Sequence, residues 1–150
     1  MSDLRELYNE VITDHRKTPR NFRVIENANR HADGHNPLCG DNVSIYLDVE
    51  DGVIKDISFV GSGCAISTAS ASIMTTVLKG RSIDDAEAAF QKFHDMVTVE
   101  SDEEIDPDSL GKLAVFSGVR EFPARVKCAS LAWHTVHAAL NAIEEPATTE

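Results

Sequence analysis

The sequence contains no long hydrophobic run. Its apolar segments all fall well short of the roughly 20 residues that a helix needs to cross a bilayer, so we expect no membrane-spanning role. The N-terminal segment MSDLRELYNE carries charges where a secretion signal has its apolar core, and we therefore expect a cytoplasmic protein. Apolar residues still make up 42% of the 150 residues, which is enough for a single domain over residues 1–150 with one hydrophobic core.

Basic residues are scarce. The 14 lysines and arginines are outnumbered by 25 acidic residues, which gives a formal net charge of −11. Because nucleic-acid phosphates are bound by basic surfaces, this composition argues against a nucleic-acid partner. The acids concentrate between Ser82 and Asp108, whereas basic residues gather near the start of the chain and around Cys128.

Cysteine is rare as well, with three residues in the chain: Cys39, Cys64 and Cys128. An odd number of cysteines without a secretion signal does not predict a disulfide framework. The intervals of 24 and 63 residues between them match no CxxC metal motif. A site that uses all three cysteines therefore has to be assembled by the fold.

Hydrophobic periodicity predicts helices together with a small sheet. An apolar stripe with helical spacing indicates a helix that starts near Ser2. Alternating apolar residues on both sides of an Asp-Gly pair predict a β-hairpin with strands 43–50 and 53–60 and a type I′ turn. The polar stretch 21–37 is interpreted as loop with at most one short third strand.

The rest of the chain is mostly helical by pattern. A buried helix is predicted over 65–78, a second from about 83 to 96, and a short one from about 108 to 116. A last long helix carries an apolar stripe over 128–143, with Cys128 in its first turn. The expected class is α+β, a small antiparallel sheet packed by about five or six helices.

The predicted elements place two cysteines at helix starts. Cys64 follows a glycine-rich turn, Cys128 is expected in a first turn, and the positive end of a helix stabilises a thiolate. Arg125 and Lys127 add positive charge beside Cys128.

An extended chain around Gly40 would point the side chains of Cys39 and Asp41 to the same side, and the glycine would let another group approach. The residues alone leave other interpretations open. A buried cysteine is commonly a small hydrophobic residue, and Asp41 with Asn42 is also typical of a turn. His35 is a conceivable base for Cys39 in a Cys/His hydrolase, but no oxyanion site accompanies the pair.

Four stretches spread over most of the chain are more specific together than any one of them: LYNEVITDHRKTPRN at 7–21, NPLCGDNV at 36–43, GSGCAISTASASIMTTVLKG at 61–80 and FPARVKCASLAWHTV at 122–136. Taken together they resemble the NifU/IscU-type iron–sulfur cluster assembly family. Within that family the chain is similar to the SufU branch, zinc-containing sulfur-transfer proteins that serve a SufS-type cysteine desulfurase.

The resemblance implies one metal site, formed by Cys39, Asp41, Cys64 and Cys128. Scaffold proteins of the IscU type carry a histidine directly before the third cysteine, where this chain has Lys127. A protonated lysine cannot be a metal ligand, so the carboxylate of Asp41 is expected as the fourth ligand of Zn²⁺. SufU-like members also share an acidic insertion, here at about 82–118.

The resemblance further implies a zinc-dependent sulfurtransferase. A histidine of the PLP-dependent desulfurase is expected to replace Cys39 on zinc, and Cys39 then accepts the persulfide sulfur and passes it to downstream iron–sulfur scaffold proteins. Arg125 is expected to steady the anionic site or to contact the partner. The alternatives are an IscU-like scaffold on which a 2Fe–2S cluster is transiently built, and a purely structural zinc domain.

Overall fold

The computed structural model describes residues 2–26, 28–36, 40–98, 123–141 and 147–148. A four-stranded sheet is combined with four helices in this part of the chain. In chain order, the elements are α1 (Ser2–Lys17), β1 (Arg30–Asn36), β2 (Asp41–Glu50), β3 (Val53–Ser62), α2 (Ala65–Leu78), α3 (Ile83–Thr98), α4 (Pro123–Leu140) and β4 (Ala147–Thr148).

The sheet has the strand order β3-β2-β1-β4, in which the first three strands are antiparallel and the two-residue β4 runs parallel to β1. The α+β prediction and the β2–β3 hairpin are confirmed, and each hairpin strand extends two residues further at its open end than predicted. Asp51 (φ 53°) and Gly52 (φ 76°) have the positive φ values of a type I′ turn. The third strand exists as β1 and pairs with β2 over its full length.

The described part of the chain contains four helices, fewer than the five or six that were expected. The short helix expected at about 108–116 lies outside the described residues, as does most of the acidic region beyond α3. The last helix begins at Pro123, which makes Cys128 its sixth residue, so the prediction that this cysteine lies in the first turn is wrong. None of the described helices is both long and apolar enough to cross a membrane.

The hydrophobic core lies between one face of the sheet and the two central helices. α4 packs against β1, β2 and α2, and α2 also contacts α1 and β3. Small residues make α2 narrow, so α4 can approach it closely. The buried Ser70 hydroxyl of α2 donates a 2.5 Å hydrogen bond to the Ala129 carbonyl of α4. This packing brings the beginning of α2 close to the N-terminal half of α4.

Gly34 allows β1 to lie directly on α4. A Cβ at this position would clash with Thr135 Oγ1 and would approach Val43 Cγ1 to 3.1 Å and Leu131 Cδ1 to 3.2 Å. The strand and the helix can be this close only because residue 34 has no side chain. The spacing of β1 and α4 matters for function, since β1 ends two residues later at the candidate site.

Gly34→Ala is expected to lower the free energy of unfolding by about 1–3 kcal/mol, because the added methyl group overpacks the β1–α4 contact. Urea unfolding measures this loss. Thr135→Ala removes the atom that clashes, so the double variant should recover part of the stability while Thr135→Ala alone should cost little. Equal stability of Gly34→Ala and the unsubstituted protein would contradict this account of the contact.

Three histidines gather around Phe90 where α3 meets α4. The ring of Phe90 lies 6.1, 5.5 and 4.9 Å from the rings of His94, His134 and His137, measured between centroids. Burial lowers the pKa of His134, and the neighbouring charges of His94 and His137 lower it further. Glu87 faces this group as well, with Oε2 at 2.8 Å from His137 Nδ1.

Stability should fall as the pH drops below the usual histidine pKa of about 6.5, because the unfolded chain then binds a proton at His134 that the folded chain still excludes. His134→Gln should reduce this loss of unfolding free energy. The measurement is urea unfolding between about pH 7.5 and pH 5 in the presence of a chelator. His35→Gln, at an exposed histidine, is the control. An unchanged pH dependence in His134→Gln would show that this position does not contribute.

Candidate metal centre

Asp41 is the first residue of β2 and pairs with Asn36, the last residue of β1. Its side chain is 1% exposed, although β-strand ends are usually accessible to water. One carboxylate oxygen, Oδ1, accepts a hydrogen bond of 2.9 Å from the backbone N–H of Cys64. The other oxygen, Oδ2, lies 3.9 Å from Cys64 Sγ and 3.4 Å from Asn36 Nδ2. The carboxylate is therefore oriented with Oδ2 toward the cysteine sulfur.

Cys64 is the N-cap of α2, and its Sγ accepts the backbone N–H of Ser67 at 3.4 Å. The expectation that the positive end of a helix faces this sulfur agrees with that contact. Gly63, directly before it, packs against the carboxylate of Asp41, where an added Cβ would lie 2.5 Å from Oδ1. The missing side chain at residue 63 thus leaves the space that Asp41 occupies.

Cys128 is 4% exposed and lies in the second turn of α4. The favourable effect of a helix end on an anion falls off within the first turn, so it is weaker at Cys128 than the first-turn prediction implied. Asn36 lies beside the sulfur instead, with Nδ2 at 3.8 Å from Sγ. Lys127, the next residue toward the helix start, is half-buried.

The fold thereby brings three of the four predicted metal ligands together. One ligand atom from each of Asp41, Cys64 and Cys128 lies within 4.8 Å of the other two. Ligand atoms on a tetrahedral zinc ion are separated by about 3.5–3.8 Å, so a small inward adjustment would place these three on one ion. Two sulfurs and one carboxylate oxygen are a donor set that suits zinc.

Cys39 lies outside the described residues, and so does the side chain of Arg125. The chain itself limits where Cys39 can be, because two residues span at most about 7 Å and Asp41 is two residues away. The connection 37–40 is closed at its ends by the Asn36–Asp41 pair and by a 2.8 Å hydrogen bond from Gly40 N–H to the Asn36 carbonyl. The described ends of this connection, Asn36 and Gly40, therefore lie next to Asp41.

Gly40 has a different role from the one expected. Its φ of 73° is in the left-handed region, so the chain is not extended between Cys39 and Asp41 and the same-side argument for their side chains fails. A Cβ on Gly40 would meet no atom of the described residues within 4 Å, so packing against that part of the chain does not require a glycine here. The turn conformation is the reason.

Asn36 is the site residue that sequence reasoning missed. The pattern of β1 contains the signal, since Ala32, Gly34 and Asn36 alternate on the buried face of the strand. A fully buried asparagine on such a face needs hydrogen-bond partners, and two of the predicted ligands are among them. His35, by contrast, is exposed and lies 3.2 Å from Asn42 Oδ1, measured from Nδ1.

Comparisons with known proteins all point to one family. The NifU-like N-terminal domain family matches residues 7–129 of the chain. A zinc-dependent sulfurtransferase SufU of Bacillus subtilis is 42% identical over 133 residues, which cover 88% of each of the two chains. An iron–sulfur cluster assembly scaffold protein IscU of Streptococcus pyogenes is 36% identical over 140 residues, covering 93% of this chain and 86% of the relative.

Solved structures agree with the sequence matches. The crystal structure of an iron–sulfur cluster assembly scaffold protein for the SUF system from Fervidobacterium islandicum superposes with a TM-score of 0.81 at 35% identity. The match covers 90% of this chain and 97% of that one.

Gly63→Ala is expected to weaken divalent-metal binding and to lower the free energy of unfolding, because the new methyl group pushes the buried carboxylate of Asp41 away from the Cys64 N–H. Zinc titration against a chelator of known affinity measures the binding, and urea unfolding measures the stability. Ser62→Ala, at an exposed neighbour, is the matched control. Zinc binding that is equal in Gly63→Ala and Ser62→Ala would contradict the assignment of Asp41 to the site.

Proposed function

The chain belongs to the NifU-like N-terminal domain family, and on that premise we propose that it works in iron–sulfur cluster assembly as a zinc-dependent sulfurtransferase. It accepts persulfide sulfur from a SufS-type, PLP-dependent cysteine desulfurase in the cytoplasm and passes it to downstream scaffold proteins. The observation that carries this proposal is the cluster of the buried Asp41 and Cys128 with the half-buried Cys64, whose ligand atoms lie within 4.8 Å of one another.

The proposed ligand set consists of Cys39, Asp41, Cys64 and Cys128. Zinc bound there would hold the thiolates together without redox chemistry of its own. The carboxylate of Asp41 suits the fourth position, because Lys127 occupies the place of a possible ligand and a protonated lysine has no lone pair to offer.

Cys39 is the proposed acceptor. If a ligand of the partner took its place on the metal, the thiolate of Cys39 would be free to attack the outer sulfur of the desulfurase persulfide. A bond forms between Cys39 Sγ and that sulfur, the sulfur–sulfur bond of the partner breaks, and the partner cysteine leaves as a thiolate. The exchange conserves electrons and charge, so no external oxidant or reductant is required.

Arg125 is proposed to support this step by steadying the anionic ligands or by contacting the desulfurase. It precedes Cys128 by three residues on α4, and residues three apart lie on neighbouring positions of a helix surface. A guanidinium group is suited to recognising carboxylates of a partner protein.

A scaffold for a 2Fe–2S cluster is the second candidate, because some of the similar proteins are named scaffold proteins and cysteine thiolates are the usual cluster ligands. Metal analysis of protein purified without oxygen separates the two. The relay proposal requires colourless protein with zinc, whereas a scaffold would carry iron and sulfide and would be coloured.

Cys39→Ser is expected to abolish sulfur acceptance, since a serine hydroxyl cannot form a persulfide. The measurement is alanine release by a SufS-type desulfurase, which the unsubstituted protein should stimulate and the variant should not. Mass spectrometry should find one additional sulfur atom on Cys39 of the unsubstituted protein.

The desulfurase alone supplies the baseline rate for this assay, and Ser62→Ala is a matched control that keeps all four proposed ligands. Stimulation by Cys39→Ser at the full rate would remove Cys39 from the acceptor role. Zinc binding without any stimulation by the unsubstituted protein would instead favour a purely structural zinc site.

A further inference from the structure

Asn36 is a fully buried polar side chain that contacts two different proposed ligands. It is 0% exposed, and its Nδ2 lies 3.4 Å from Asp41 Oδ2 and 3.8 Å from Cys128 Sγ. Its backbone carbonyl also accepts the N–H of Gly40 at 2.8 Å. One residue therefore connects β1, the start of β2 and α4 at the candidate centre.

The chemistry of the two neighbours determines which end of the amide faces them. A carboxylate oxygen and a cysteine sulfur of a metal site are both acceptors, and the amide nitrogen carries two hydrogens that can serve one acceptor each. The amide oxygen in that place would repel both. Hydrogen bonds from a neutral donor to anionic acceptors are also among the stronger ones in proteins.

Backbone N–H groups donate to the other described ligand atoms. Cys64 Sγ accepts the N–H of Ser67, and Asp41 Oδ1 accepts the N–H of Cys64. Asn36 supplies the side-chain donor that serves Cys128 and the second oxygen of Asp41. All three described ligands are thus fixed by groups that are not themselves ligands, which is how second-layer contacts orient a metal site.

We propose that Asn36 is a positioning residue of this centre, whose buried amide holds Asp41 and Cys128 in place as ligands while Cys39 is free to take up sulfur. This inference rests on the proposed function. It explains how one ligand can be exchanged without loss of the metal, because the ligands that remain keep their orientation through protein contacts. An apolar side chain of similar size would fill the space but would leave both acceptors without this donor.

The test replaces the amide with an apolar group and measures the metal site directly. Asn36→Leu is expected to weaken zinc binding by about 10–100-fold in competition with a chelator, the usual effect of losing such a contact. The visible absorption of the Co²⁺-substituted protein should also change, since it reports ligand geometry and a change in stability alone does not alter it.

Asn29→Leu is the matched control. The Asn29 amide bridges the backbone of Val49, with Nδ2 at 2.7 Å from its carbonyl oxygen and Oδ1 at 2.8 Å from its nitrogen, and it does not belong to the site. This variant also loses asparagine hydrogen bonds, yet it should keep the zinc affinity and the Co²⁺ spectrum. Asn36→Ser, which fits the site without strain, should show the same losses as Asn36→Leu if the latter fails to fold.

Two outcomes distinguish the proposals. If the unsubstituted protein binds zinc and the Asn36 variants bind it equally well with an unchanged Co²⁺ spectrum, Asn36 has no positioning role and the relay proposal still stands. If the unsubstituted protein holds no zinc, the proposed function fails first and the inference about Asn36 fails with it.

Discussion

The buried carboxylate of Asp41 is the constraint on which the arrangement of the site depends. A charged group that is 1% exposed is costly unless it is hydrogen-bonded or coordinates a metal. Its partners come from separate parts of the fold, the Cys64 N–H at the start of α2 and the Asn36 amide at the end of β1. Satisfying one side chain therefore fixes how the hairpin meets α2, and Asn36 extends the same constraint to Cys128 on α4.

Neutral donors contribute to holding the ligands of the site. Among the described contacts of the three ligands are two backbone N–H groups and one amide. A lysine or arginine in the same place would form an ion pair with the carboxylate and would compete with a metal cation for it. Neutral donors orient the anions and leave their charge available, so a chain with a net charge of −11 can keep an anionic cluster ready for a cation.

Local patterns predicted the elements, and long-range contacts decided the details of the site. Alternation and an Asp-Gly pair are sufficient to predict the hairpin, and a glycine-rich turn before an apolar helix is sufficient to place Cys64 at the start of α2. The start of the last helix was misplaced because Pro123 suits a first helical position as well as a boundary. Asn36 was missed because the alternation of β1 is only a weak local hint and its partners, 5 and 92 residues away in the chain, are brought to it by the fold.

The two ends of the connection between β1 and β2 are held together without a metal. The Asn36–Asp41 pair and the hydrogen bond from Gly40 N–H to the Asn36 carbonyl close the connection 37–40. In the proposed ligand set, Cys39 is the ligand on this connection, and its release would leave β1 and β2 paired and cost little loop entropy. Cys64 and Cys128, by contrast, belong to a helix cap and to a buried helix, where displacement would disturb the core. The proposed exchange at Cys39 would therefore spare the elements that position Cys64 and Cys128.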